Sequence, residues 1–111
     1  MEKAYRVKKS AEIEIIMNQK DSVGDGYFVI YKKRGSELPH FRFAVSVPKK
    51  YGIAVSRNLM KRRIREIVRK YKFQQNLEFF IIVKPKANSL SFQEIEEKLT
   101  KLFARAKILE G

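Results

Sequence analysis

The sequence predicts an α/β fold of the α+β kind, a two-layer sandwich in which helices cover a small sheet. Three observations lead there. Apolar residues recur at helical spacing in three separate stretches. Three other stretches are rich in aromatic and β-branched residues, and one of them alternates strictly. No repeat, low-complexity tract or long linker divides the 111 residues, so one core and a single domain over residues 1–111 are expected.

Residues 10–19 read as a helix, with Ser10 placed to cap it and Ile13, Ile16 and Met17 on one face. Asp21 to Gly26 reads as a loop with Gly24-Asp25-Gly26 as its turn. Residues 27–33 read as a strand and Gly35 to Pro39 as a turn. In residues 41–47, Phe41, Phe43, Val45 and Val47 face one way and Arg42, Ala44 and Ser46 the other, the pattern of a half-buried strand. Pro48 to Gly52 breaks it. A helix is expected over 57–72, with Met60, Ile64, Ile67, Val68 and Tyr71 on its apolar stripe. Asn76 marks a loop. Residues 78–84 are apolar enough for a strand buried on both faces. After a loop from Pro85 to Leu90, Ser91 and Glu94 form a capping box for a last helix. Its stripe is Phe92, Ile95, Leu99, Leu102, Phe103, Ala106 and Leu109. The order is helix, strands, helix, strand, helix.

Composition narrows the function. The longest apolar run, Phe79 to Val83, is far short of the roughly 20 residues that span a bilayer. The basic stretch Met1 to Ser10 leads into no apolar segment, which argues against a secretory leader and suits a cytoplasmic home. With no cysteine there is no disulfide, thiol nucleophile or cysteine-bound zinc. The formal charge is +13, and it is concentrated. Residues 49–72 hold ten basic side chains and one acidic one, Glu66. A localised basic block points to a polyanion partner, nucleic acid first and an anionic membrane surface second.

On a helical wheel at about 100° per residue, Lys61, Arg62, Arg65, Arg69 and Lys72 form a stripe about a third of a turn from the apolar one. Like charges at i, i+4 repel in an isolated helix, so the pattern makes sense if phosphates neutralise it. Arginine dominates, and its planar fork suits phosphate oxygens. The apolar face is needed for the core, which disfavours a membrane. Lys49 and Lys50 in the preceding loop extend the footprint.

The stretch Val45 to Arg65, VSVPKKYGIAVSRNLMKRRIR, resembles the signature of the bacterial ribonuclease P protein component. The matching positions are Lys49, Lys50, Gly52, Ala54, Val55, Arg57, Asn58, Lys61, Arg62 and Arg65. Tyr5 to Lys9, Phe28 to Tyr31, Phe80 to Val83 and the last helix also resemble the family. The resemblance implies a subunit of a ribonucleoprotein endonuclease that removes the 5′ leader from precursor tRNA. Its partners would be the ribonuclease P catalytic RNA and the leader, with neither DNA nor membrane. The RNA, with bound Mg²⁺, would perform hydrolysis, and no metal site is expected on the protein. The RNA contacts implied are Lys49, Lys50, Arg57, Asn58, Lys61, Arg62, Arg65 and Arg69. The leader would lie in a cleft between the first helix and the sheet, lined by Ile13, Met17, Tyr31, Arg42 and Ser46. The fold implied is like the second domain of ribosomal protein S5. It has a left-handed crossover through 41–47, 57–72 and 78–84, against the usual right hand.

Two positions depart from the family pattern. Leu59 follows Arg57-Asn58 where Arg or Lys is common, with Arg63 as a candidate replacement. Ile13 and Met17 stand where aromatics often face the leader, which predicts altered leader preference. Arg57 and Asn58 are expected to open the basic helix. His40 lacks partners for a metal site or triad, and Glu94, Glu96 and Glu97 suit capping and solubility. No constellation in the sequence could hydrolyse RNA unaided. The alternative is a non-enzymatic RNA-binding or ribosome-associated protein on the same fold. A DNA-binding recognition helix is a weaker third reading, because the stripe lacks Asn/Gln base readers.

Overall fold

The computed structural model describes residues 10–35 and 40–110. The elements in order are α1 (Ser10–Asn18), β1 (Ser22–Gly24), β2 (Phe28–Arg34), β3 (Arg42–Ser46), α2 (Ala54–Arg69), β4 (Leu77–Val83) and α3 (Phe92–Ala106). The four strands form one sheet in the order β1-β2-β4-β3. β1 and β2 are antiparallel, β2 and β4 antiparallel, and β3 and β4 parallel. The strand–helix–strand unit β3-α2-β4 is the one on which the family resemblance places the left-handed crossover.

The core is the layer between the sheet and α2 with α3. Phe28, Ile30, Phe43, Phe79, Ile81 and Val83 of the sheet pack against Met60, Ile64, Ile67 and Val68 of α2 and Ile95, Leu99, Leu102 and Phe103 of α3. This is the expected two-layer sandwich. α2 lies over the β3 side and α3 over the β1–β2 side. The short α1 rests on the opposite face of the sheet, across β2 and β4. β4 is therefore covered on both sides, as its apolar content predicts.

Several boundaries differ from the sequence expectation. The segment read as a loop contains β1, three residues paired by backbone alone: Ser22 with Tyr31, Val23 with Ile30, Gly24 with Val29. Three residues are too few to show a period. The turn itself is as expected, with Asp25 Oδ1 accepting from the backbone N–H groups of Tyr27 and Phe28 at 2.7 and 2.9 Å. α2 starts at Ala54, a turn before the expected start. Ile53 holds the N-cap position without a side-chain cap, and Arg57 N–H donates to Ile53 C=O at 3.0 Å. A helix begun by an apolar residue carries no polar start signal. Arg57 and Asn58 thus stand one turn inside the helix and do not open it. At the other end Tyr71 and Lys72 lie beyond the helix. Leu109 lies beyond α3, because Lys107 adopts a left-handed conformation (φ 58°) and ends it. Leu109 instead bridges Phe73. The expected turn at 36–39 and the side chain of Ser10 fall outside the described residues.

The capping box of α3 is present in full: Ser91 Oγ accepts from Glu94 N–H, and Glu94 Oε1 accepts from Ser91 N–H at 3.0 Å. Hydrogen bonds from the Ser91 backbone and hydroxyl hold the Glu94 carboxyl below its ordinary range. A lowered pKa stabilises the fold above the ordinary carboxylate range, and that contribution is lost as pH falls through the lowered value. Ser91→Ala is expected to cost about 1 kcal/mol in chemical denaturation at neutral pH. The difference should shrink on acidification.

Candidate nucleic-acid interface

The sheet face under α1 carries the first half of the site. Strand alternation puts Tyr31 beside Phe80 and Phe80 beside Ala44, and in the next row Val29, Ile82 and Ser46 side by side. Ile16 and Phe80 are buried between α1 and the sheet, and Ile13, Met17, Tyr31, Ala44 and Ile82 pack half-buried around them. The structure thus brings Ile13, Met17 and Tyr31 together, with Ser46 on the same face at the β3 end. The result is a half-open apolar trough between α1 and the edge strand. Sequence reasoning missed Phe80, Ala44 and Ile82 as its floor. The signal was their alternation with core residues, which shows two faces but not which helix covers each.

Arg42 belongs to this face too, but as a strut. Its Nη2 donates to Glu12 Oε2 of α1 at 2.8 Å, and its Nη1 lies 3.7 Å from Glu78 Oε2 of β4. Glu78, 8% exposed, also meets Lys33 Nζ at 3.7 Å. The chain Glu12–Arg42–Glu78–Lys33 ties α1, β3, β4 and β2 together at one end of the trough. Truncating one partner of such a buried network costs more than an exposed pair would. Any anion at Arg42 would compete with these carboxylates.

The second half of the site is the basic flank of α2. Lys70 Nζ on the other flank bonds Glu96 of α3 at 2.6 Å. That contact, which raises the Lys70 pKa, marks the α3-facing side. Lys61, Arg62, Arg65 and Arg69 project from the flank turned away from α3. Lys61 and Arg65 are half-buried; Asn58, Arg62 and Arg69 are exposed. Arg57 lies nearer the apolar stripe, and its buried Nε–H has no acceptor among the described residues. Lys49 and Lys50 are exposed on a 3-10 turn packed against the start of α2. That turn is braced by Asn88 Nδ2 donating to Tyr51 C=O at 3.2 Å. Arg63 stands four residues after Leu59 and seven before Lys70, hence on the same side of α2 as both, one turn from the position that departs from the family pattern. Leu59 is itself exposed.

Ion pairing sets several cations of the sheet and the α3-facing flank apart from those of the stripe. Lys32, Lys33, Arg34, Arg42 and Lys70 are all paired with carboxylates. Among the described residues no ion pair involves Lys49, Lys50, Lys61, Arg62 or Arg69. Glu12, Asp21, Glu78 and Glu96 pair with cations off the stripe, and residues 49–72 hold a single acid, Glu66, against ten basic side chains, so the stripe keeps a net positive potential. His40 is half-buried, and its Nδ1 donates to Phe41 C=O at 2.9 Å. Among the described residues no group of three or more His, Cys, Asp or Glu could hold a metal ion, and no helix is long and apolar enough to cross a membrane.

Comparison with known proteins agrees with this geometry. The sequence profile of the Ribonuclease P family matches residues 1–107. The ribonuclease P protein component of Acholeplasma laidlawii is 44% identical over 112 residues, covering 99% of this chain and 96% of that one. That of Ligilactobacillus salivarius is 40% identical over 111 residues, covering 98% of both. Among solved structures, the Staphylococcus aureus RNase P protein superposes with a TM-score of 0.88 at 35% identity, covering 97% of this chain and 100% of that one. The Thermotoga maritima RNase P protein superposes with a TM-score of 0.80 at 27% identity, covering 96% and 98%. With the fold and the basic flank of α2 in place, the chain belongs to the ribonuclease P protein family, the protein component of the endoribonuclease that removes 5′ leaders from precursor tRNA together with an RNA subunit.

Proposed function

We propose that residues 1–111 act as one domain that docks on the catalytic RNA through α2 and takes the precursor's 5′ leader in the trough under α1. The observation that carries this is the basic flank: among the described residues no carboxylate pairs with Lys49, Lys50, Lys61, Arg62 or Arg69, while Lys32, Lys33, Arg34, Arg42 and Lys70 are paired. Arg57, Asn58 and Arg65 complete the footprint. Phosphates supply the missing counter-charges, and binding releases the ions that screen the free stripe.

The leader lies along Ile13, Met17, Tyr31 and Ser46, with Arg42 at one end. Ile13 and Met17 offer apolar contact where an aromatic would stack, so base preference is weak and Tyr31 is the one stacking ring among these positions. Catalysis resides in the RNA. Mg²⁺ there would activate the attacking water, and no donor set among the described residues fits such an ion. The protein contributes affinity and placement. The reading assigns the complex to the cytoplasm, with neither DNA nor membrane as partner.

The test is reconstitution with cognate ribonuclease P RNA and a 5′-leader precursor tRNA at low Mg²⁺. Accurate 5′ cleavage is expected only when both components are present. RNA binding without restored cleavage would replace this reading with that of a non-enzymatic RNA-binding module.

A further inference from the structure

A second concavity lies outside the trough, at the C-terminal end of the basic stripe. Its volume is about 340 Å³, larger than a nucleobase and within the range of ligand pockets. His40, Phe41, Tyr71 and Phe73 line it, Phe73 from a buried position. These rings are the outer end of an aromatic stack that continues into the core, Phe41 to Phe73 at 5.0 Å and Phe73 to Phe79 at 4.9 Å. Tyr71 is fixed by a 2.6 Å hydrogen bond between its hydroxyl and Thr100 and by an edge contact with Phe103. The walls are therefore set before any ligand arrives.

Polar groups lie at the mouth. Lys72 stands three residues past the end of α2, beyond the last cation of the helical stripe, Arg69. The bridge between Phe73 and Leu109 and the 2.8 Å bond from Glu110 N–H to Lys72 C=O pin the strand end beside it, so that Glu110 and Gln75 complete the rim. A phosphate stripe fixes where a protein lies on RNA but carries no base information. Here it ends at a ring-lined pocket bearing one ammonium, one carboxylate and one amide. Unpaired RNA bases are read by stacking on aromatic rings and by hydrogen bonds to their Watson–Crick edge. A carboxylate accepts two parallel N–H bonds, and guanine is the base that offers two adjacent N–H donors, N1–H and N2–H, on that edge. The amide of Gln75 matches its O6, and Lys72 matches its phosphate.

We propose that this pocket takes one unpaired guanine of the catalytic RNA and sets the register of the basic stripe on it. The proposal rests on the docking of α2 on that RNA. The test is guanine modification by kethoxal, which attacks N1 and N2, on cognate ribonuclease P RNA alone, with the unaltered chain, and with Glu110→Gln or Gln75→Ala. Both substitutions are at exposed or rim positions and leave the core untouched. One guanine is expected to be protected by the unaltered chain. Glu110→Gln should return that guanine to the reactivity of free RNA and weaken binding about tenfold. If the unaltered chain binds the RNA through Arg62 and Arg65 while every guanine reacts alike with it and with Glu110→Gln, the pocket proposal is overturned and the docking reading stands. If the unaltered chain does not bind the RNA, both fall.

Discussion

Changing Arg62 and Arg65 together to alanine is expected to lower affinity for the catalytic RNA by about two to three orders of magnitude. Each guanidinium contributes a charge-assisted hydrogen bond to phosphate, about 1.5–3 kcal/mol apiece. Two such losses correspond to about 3–6 kcal/mol, less whatever the neighbouring Lys61 and Arg69 recover. The salt dependence should flatten as well, because fewer phosphates are neutralised and the slope of log affinity against log salt falls by about one per contact. Thermal unfolding of the free protein should barely change. Arg62 is exposed, and removing like charges around Lys61, Arg65 and Arg69 relieves i, i+4 repulsion of about 0.2–0.5 kcal/mol per pair. Titration of labelled RNA at two salt concentrations, with a melt of each variant, checks this. Arg63→Ala, on the flank facing α3, is the control and should bind nearly as the parent does. Equal losses from Arg63→Ala and the double variant would remove the stripe from the interface.

Phe79→Ala is expected to have the largest effect on stability. Its ring is fully buried, stacks on Phe43 at 5.5 Å, and meets Phe73 at 4.9 Å and Phe103 at 6.3 Å. Truncating a phenylalanine in such a cluster costs about 3–5 kcal/mol, a large share of a small domain's total stability of about 5–15 kcal/mol. A fall in Tm of about 15–25 °C should follow for a chain of this size. Adding the catalytic RNA should recover part of it, since a ligand that binds only the folded state stabilises by mass action. Phe80→Ala, one residue away, removes the floor of the trough instead. It should destabilise less, since Phe80 joins a much smaller cluster, and should change leader affinity, which Phe79→Ala in the refolded complex should not.

The helices of the core layer were legible because their apolar stripes are long and regular, and Ser91 and Glu94 marked the start of α3 by chemistry that works locally. β3 was legible for the same reason: Phe43 and Val45 alternate with Arg42, Ala44 and Ser46, and the two sets do face opposite sides of the sheet. β1 was not legible, because three residues held by backbone pairing leave no side-chain pattern. The start of α2 was not legible either, since Ile53 gives no capping signal. At the site, the stripe on α2 could be read from spacing alone, and the motif around Lys49 to Arg65 named its class. The partners of Arg42 could not. Glu12 and Glu78 come from elements thirty or more residues away, and only the folded sheet brings them within reach. The same holds for the pocket beside Lys72, where His40, Tyr71 and Glu110 meet from three distant parts of the chain.

β4 runs through the middle of the molecule with a covered face on either side. Leu77, Phe79, Ile81 and Val83 point into the layer with α2 and α3, while Glu78, Phe80 and Ile82 point to the side of α1. Parity along one strand therefore assigns each position to one of two separate pressures. Odd-numbered residues answer to cohesion of the core, and even-numbered ones answer to the shape of the trough. Drift at positions 80 and 82 can remodel what the trough accepts while the core stays intact, and a relative with another leader could arise by such steps. An insertion of one residue in this strand would exchange the two sets and ruin both at once.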